Sequence, residues 1–378
     1  MPAVPSQNSG MVLRRLSVAS SAMPDSNSND EMTKGALMPT QPSTREAIDT
    51  QSTSVTPEPI MRLASGFMAA KHLFAASELG LFEVLADSPT TVDGLAARTG
   101  LTRRAARISA DAMVALGLLD RTGDTYRNSD TAAAFLSGRG PVDLRPFLKF
   151  WDKISYPSWS ELSTALAKGP STEIFELDDQ LQEVASAGIE AILAGPAAAL
   201  PKTFDFSGQR RLLDVGGGTG SWSIAVAQAF PHLQATVFEL PTTADIARKR
   251  IAASDVASRL NVVVGDAMNG TLPSGYDVLL LANVIHYWSP DENRALLQRV
   301  RQATDKGASL LLADFWTDPT HTKPVQAALM AGEFAVHLRN GDVYSVEELS
   351  GWLDDTGWRF IRHTPLAGPQ SLVVAEAA

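Results

Sequence analysis

The chain has no cysteine in 378 residues. It can therefore form no disulfide, no thiolate metal site and no cysteine nucleophile, and it suits a reducing compartment. It also lacks positive charge: 42 acidic residues against 32 basic give a net charge of −10, which opposes a dedicated nucleic-acid binder. No run of 18 apolar residues occurs. The longest, around Val278–Ile285, is far short of the roughly 20 residues a bilayer-spanning helix needs. Aromatic residues are missing from the first 66 positions, the first being Phe67. These absences point to a soluble, acidic, cytoplasmic protein without membrane or nucleic-acid partners. Its hydrophobic content of 44% is enough for a sizeable core.

Residues 1–55 are dense in Ser, Thr, Pro, Asn and Gln and read as a disordered tail, because such a segment cannot bury enough apolar area to offset its ordering entropy. Arg14 and Arg15 hint at a targeting peptide, but Asp25, Asp30 and Glu31 interrupt the pattern. Residues 56–145 read as a compact helical module. Apolar spacing predicts helices over Ile60–Leu73 and Phe74–Leu85. Val92–Thr99, a turn at Gly100 and a helix opening at Thr102 follow helix-turn-helix grammar. Two short strands around Thr122-Gly-Asp124 then complete a winged helix. Residues 146–200 read as a helical connector with a break at Gly195-Pro196.

Residues 201–378 alternate between strands and helices. Strands are expected at Arg211–Val215, Thr236–Leu240, Asn261–Gly265, Asp277–Ile285 and Ser309–Asp314, which implies a parallel, doubly wound α/β sheet. Trp358–Pro365 and Ser371–Ala375 flank Gly368-Pro369 as a hairpin, so one terminal strand should run against the rest.

The strongest motif is Asp214-Val-Gly216-Gly-Gly218-Thr-Gly220. A strand enters a glycine-rich turn that opens a helix, so backbone and free amides can approach a ligand closely. The spacing departs from the dinucleotide pattern G-x-G-x-x-G. Asp214 would repel a pyrophosphate, yet it suits a ligand carrying an ammonium or sulfonium. Glu239 lies 25 residues after Asp214, at the end of the second strand, where a carboxylate can accept bonds from ribose hydroxyls.

The glycine motif resembles the first motif of class I S-adenosylmethionine-dependent methyltransferases. Val237-Phe-Glu-Leu-Pro241 resembles the second-strand motif of the plant-type and bacterial small-molecule O-methyltransferases. That resemblance runs from about Pro57 to the C-terminus. It implies a Rossmann-like catalytic domain behind a winged-helix dimerisation domain, S-adenosylmethionine as cofactor and a small-molecule substrate. It also implies a homodimer, which the apolar stretch Ile60–Leu73 supports. Cofactor contacts then fall to Asp214, Gly216, Gly218, Gly220, Glu239, Leu240, Asp266, Ala267 and Met268. Leu240 would pack on the adenine and Asp266 would meet its amino group.

His286, in Leu281-Ala-Asn-Val-Ile-His-Tyr-Trp288, matches the family's catalytic base, with Tyr287 where the family has Asp. A neutral imidazole can take a proton near neutral pH. Ser289-Pro-Asp-Glu292 forms a helix start that pins His286 near the sheet edge. Asp314 matches the acid that orients the base. A second such acid falls at Val343 or at Asp342, depending on the alignment. Phe147, Phe150, Trp151, Tyr156, Trp159 and His337 are candidates for the acceptor wall, with Phe147, Trp151, Trp159 and His337 foremost.

Two readings compete with O-methylation. One is C- or N-methylation on the same fold, metal-assisted if His286 and His337 converge with Glu333. The other is a DNA-binding regulator using Arg103, Arg104 and Arg107 on the recognition helix.

Overall fold

The computed structural model describes residues 55–140 and 142–378. The expected tail, with Arg14 and Arg15, lies outside the described residues apart from Val55.

The first helical stretch divides at Gly66 into helices Glu58–Ser65 and Phe67–Glu78, rather than running unbroken over Ile60–Leu73. Glycine is a poor helix former, and the Gly66 N–H bonds to Leu63 O, three residues back, which tightens the turn. Gly80, at φ +70°, then redirects the chain into helix Leu81–Asp87. The helix-turn-helix forms as the caps dictate. Thr91 caps helix Val92–Thr99, Gly100 turns at φ +73°, and Thr102 caps helix Arg103–Ala115. Three strands, β1 (Thr90–Thr91), β2 (Leu119–Thr122) and β3 (Thr125–Asn128), make an antiparallel sheet in the order β1-β3-β2. Leu81, Phe82, Leu95, Met113 and Tyr126 are buried between these elements.

The C-terminal part is built on one seven-stranded sheet. Its strands are β4 (Arg211–Val215), β5 (Gln234–Glu239), β6 (Leu260–Val264), β7 (Val278–Ala282), β8 (Ser309–Asp314), β9 (Trp358–Pro365) and β10 (Ser371–Ala377). Their order is β6-β5-β4-β7-β8-β10-β9. Pairing is parallel from β6 to β8, and β10 is antiparallel to both neighbours, as the hairpin requires. Apolar clusters cover both faces, so the central β7 is buried at every position. The chain leaves β4 toward β5 on one side and reaches β7 on the other. This reversal opens a crevice beyond the C-terminal strand ends, the ligand-binding place of open α/β sheets.

Two expectations need correction. No break occurs at Gly195-Pro196: helix Asp179–Thr203 runs through both Pro196 and Pro201. Ala197 and Leu200 pack on the sheet core, and that burial outweighs the lost backbone bonds. By length and composition Gln180–Thr203 is also apolar enough to cross a bilayer. Here it packs against helices Arg145–Phe150 and Ser221–Ala229. Strand β7 is shorter than Asp277–Ile285, because Asn283 adopts φ +57° and ends it at Ala282. His286 consequently sits in a 3-10 turn, Ile285–Tyr287, just beyond the strand end.

Candidate active site

The glycine loop follows β4 and leads into helix Ser221–Ala229. Gly216, Gly218 and Gly220 have φ of +67°, +57° and +83°, a region that side chains disfavour. Gly217 is needed for space: a Cβ there would lie 2.6 Å from the Asp214 carboxyl carbon. Asp214 lies beneath the loop, fully buried, with Ser223 Oγ donating to Oδ2 at 2.7 Å and Oδ1 without a partner. Burial pushes its carboxyl up to about 7, opposed by the Ser223 bond and reinforced by the nearby Glu239 charge.

Glu239 ends β5 facing the loop. Its Oε2 accepts from Gly218 N at 2.9 Å and its Oε1 from Leu240 N at 2.7 Å. Burial raises this carboxyl, and the two backbone bonds partly counter the shift. Asp266 accepts from Met268 N and Asn269 Nδ2 at 2.8 and 2.9 Å; Asn269 and Met268 hold its carboxyl below the usual range. A crevice of about 1880 Å³, counting its open mouth, is lined by Gly216–Gly218, Glu239, Leu240, Asp266, Ala267 and Met268. Leu240 is half exposed there. Of the cofactor residues expected from the sequence, Asp214 and Gly220 do not line the crevice and the others do.

Sequence reasoning missed Glu190 on the long helix. It accepts from Thr219 Oγ1 at 2.5 Å and Ser221 Oγ at 2.6 Å and pairs with Arg250, tying the glycine loop to the connector. The one available signal was a carboxylate within an otherwise apolar helical stretch.

A second cavity, about 640 Å³ with its mouth, adjoins the crevice and shares Ile174, Ile189, Leu193, Asn283 and Tyr287 with it. Its walls are mostly apolar, with Phe150, Trp151, Ile189, Leu193, Met330 and Phe334 among them. His286 lies in this wall, 6% exposed. Its Nδ1 stands 2.7 Å from Asp314 Oδ1, and its ring stacks on Phe334 at 4.0 Å between centroids and 4° between planes. A carboxylate only accepts, so Nδ1 carries a hydrogen, and in the neutral ring Nε2 is the nitrogen with the lone pair.

Tyr287 packs 4.5 Å from the His286 ring. Burial, with the Asp314 and Glu239 charges, pushes its phenol up to about 12. It is therefore a neutral donor near neutral pH. The second acid does not materialise at the ring. Val343 is buried in an apolar cluster with Phe315, Phe334 and Leu338. Asp342 supports His286 through the backbone instead, its N–H donating to His286 O at 3.1 Å. Gly341 makes that approach possible, since a Cβ there would lie 2.6 Å from the same oxygen.

Of the expected acceptor wall, Phe150, Trp151 and His337 line the cavity. Phe147 packs against the core of the N-terminal module, and Trp159 sits behind the wall with Nε1 donating to Glu333 Oε2 at 2.5 Å. Ser155 Oγ donates to Glu333 Oε1, and His337 Nε2 lies 3.2 Å from that oxygen but off hydrogen-bonding geometry. No three His, Asp or Glu side chains among the described residues are placed to hold a metal, so His286, His337 and Glu333 do not converge as a site. On the winged helix, Arg103 and Arg107 are ion-paired with Asp93 and Asp111.

The O-methyltransferase domain family matches residues 169–359, and the O-methyltransferase dimerisation domain family matches residues 61–138. The chain belongs to the O-methyltransferase family. It is 32% identical over 314 residues to a 3-hydroxy-5-methyl-1-naphthoate 3-O-methyltransferase of Streptomyces sahachiroi, covering 81% of this chain and 91% of that one. It is 31% identical over 311 residues to the N,N-dimethyltransferase OxyT of Streptomyces rimosus, covering 79% and 90%. Among solved structures, PigF with SAH superposes with a TM-score of 0.75 at 27% identity, covering 85% of this chain and all of that one. This O-methyltransferase therefore uses S-adenosylmethionine as methyl donor. The crevice fits that molecule: the glycine cradle admits no Cβ at Gly217, and Asp214 keeps an unpaired carboxylate oxygen beneath it.

Proposed function

We propose that the protein methylates a hydroxyl group on a flat, largely apolar aromatic small molecule, with His286 as general base. The observation that carries this reading is the buried His286–Asp314 pair, 2.7 Å apart, in the wall of an apolar cavity that adjoins the cofactor crevice. S-adenosylmethionine supplies a methyl group on a cationic sulfonium. Gly216 and Gly218 would cradle it, Glu239 would hold the ribose, Leu240, Ala267 and Met268 would contact the adenine, and Asp266 would accept from its amino group. Asp214 would act from beneath the loop.

His286 Nε2 removes the hydroxyl proton, and the oxyanion so formed is the nucleophile. Asp314 holds Nδ1–H and offsets the positive charge that develops on the ring. Phe334 fixes the ring plane. The apolar walls exclude water and hold the acceptor in a productive orientation. Trp151 and His337 touch the acceptor.

The dimerisation module supports a homodimer. Ile60, Met61, Leu63, Phe67 and Met68 form an exposed apolar face suited to a second copy. The cysteine-free composition is in keeping with a cytoplasmic enzyme. The test is His286→Ala in two assays. S-adenosylhomocysteine binding by calorimetry should be unchanged, and hydroxyl methylation should fall by about two to four orders of magnitude. Full activity in the variant would remove His286 as base and favour transfer to nitrogen or carbon.

A further inference from the structure

Among the described residues, eleven buried side-chain nitrogen and oxygen atoms lack a hydrogen-bond partner. Four of them, Trp151 Nε1, Asn283 Nδ2, His337 Nε2 and Gln370 Oε1, belong to residues lining the acceptor cavity. Leaving such an atom unpaired is unfavourable, so this concentration at one cavity marks a surface that a ligand completes.

Two of the four are coupled. Gln370 Nε2 donates to Asn283 Oδ1 at 2.7 Å, leaving the Asn283 amide nitrogen and the Gln370 carbonyl oxygen unmatched. Reversing both amides reverses that bond, yet it still leaves one free donor and one free acceptor. The pair is also firmly placed. Asn283 ends β7 with its N–H donating to Ala313 O at 2.8 Å, and Gln370 closes the β9–β10 turn, its O accepting from Leu366 N at 3.0 Å. Asn283 lines both cavity and crevice and lies three residues before His286. What the pair reads therefore lies on the side of the acceptor that faces the methyl donor.

We propose that Asn283 and Gln370 are specificity-determining residues that recognise a hydroxyl beside the one methylated, so that the preferred acceptor is an aromatic vicinal diol. A single hydroxyl oxygen can accept from one amide and donate to the other. A carbonyl or an ether can only accept, and a bare ring edge does neither. This assignment rests on the O-methylation reading above.

The experiment compares 2,3-dihydroxynaphthalene with 2-naphthol. Wild-type protein should show kcat/KM for the diol at least about tenfold above that for 2-naphthol, well beyond the about twofold advantage of having two equivalent hydroxyls. Binding to the S-adenosylhomocysteine complex, read by calorimetry, should show the same preference without turnover. Gln370→Met keeps the side-chain length without either amide atom, and Asn283→Gly tolerates the positive φ without a side chain. Each should bring the ratio to within about twofold, the larger fall being in kcat/KM for the diol. Equal treatment of the two probes by wild type, binding of neither, or an unchanged ratio in both variants overturns the assignment. Loss of stability alone would leave the ratio intact and so counts against it. Failure of S-adenosylhomocysteine to bind wild type would overturn the methyltransfer reading itself.

Discussion

Replacing Asp314 by Asn separates orientation from charge at the proposed base. Oδ1 accepts from both His286 Nδ1, at 2.7 Å, and Phe315 N, at 2.9 Å, whereas Oδ2 meets only His286 N, at 3.4 Å. The amide oxygen of Asn therefore belongs at the Oδ1 position, where it satisfies two donors. Its NH2 group then opposes one backbone N–H at a distance where little is lost. The ring keeps its orientation and its Nε2 lone pair, and only the negative charge disappears. Charge centres about 4 Å apart at an effective dielectric of about 20 interact by about 4 kcal/mol. A hydrogen bond to a charged group contributes about 1.5–3 kcal/mol net. Loss of about 2–4 kcal/mol of transition-state stabilisation lowers kcat by about 30- to 1000-fold. Asp314→Ala also frees the ring and should fall further, toward about 10⁴-fold. Transfer of a radiolabelled methyl group at saturating donor reads kcat, and calorimetry should find S-adenosylhomocysteine affinity unchanged in both variants. Asp314→Asn within threefold of wild type would refute charge stabilisation of His286. Asparagine and alanine variants equally inactive would refute the amide orientation derived from Oδ1.

Three further outcomes follow from the same structure. Gly217→Ala places a Cβ 2.6 Å from the Asp214 carboxyl carbon. It should destabilise the fold by about 1–3 kcal/mol and weaken S-adenosylhomocysteine binding at least tenfold by calorimetry; wild-type affinity would show that the loop has room. Burial holds Asp214 near 7 against 3.8 in an ordinary setting. Between those values the folded protein keeps a proton that the unfolded chain has released. Stability without ligand should therefore fall as pH rises from about 4 through 7. Urea unfolding at pH 5 and pH 8 should show Asp214→Asn free of that loss, and an equal loss in both proteins would contradict it. Leu63→Glu puts a charge in the exposed face of Ile60, Met61 and Phe67; light scattering should find a monomer where wild type is a dimer, and a persisting dimer would place the interface elsewhere.

Much of the fold was legible because local signals agreed. The β4–glycine–helix turn, the Ser289 capping box and the β9–β10 hairpin are each written in adjacent residues, and each formed where the pattern put it. The departures came where tertiary burial overrode a local rule. Helix Asp179–Thr203 passes through two prolines because Ala197 and Leu200 are buried against the sheet. Strand β7 stops short of its apolar run because Asn283 turns to positive φ, a choice the run Asp277–Ile285 does not display.

The site divides along the same line. Gly216 and Glu239 could be named from motif spacing, and His286 and Asp314 from the family resemblance of their motifs. Groups brought together by folding could not. Gln370 reaches Asn283 across 87 positions, Glu190 reaches Thr219 across 29, and Ser155 reaches Glu333 across 178. The uncertain second acid has the same origin. Matching the family's pattern leaves Val343 and Asp342 as alternatives, because it counts residues without saying which atoms face the ring. The fold answers with the backbone: Gly341 lets the chain approach, Asp342 N–H holds His286 O, and Val343 turns into the apolar cluster with Phe334. Phe334 in turn stacks on the imidazole that Asp314 orients. The ring is thus fixed by one carboxylate, one aromatic plane and its own carbonyl. The position where a second carboxylate was sought serves through packing and main chain rather than through charge.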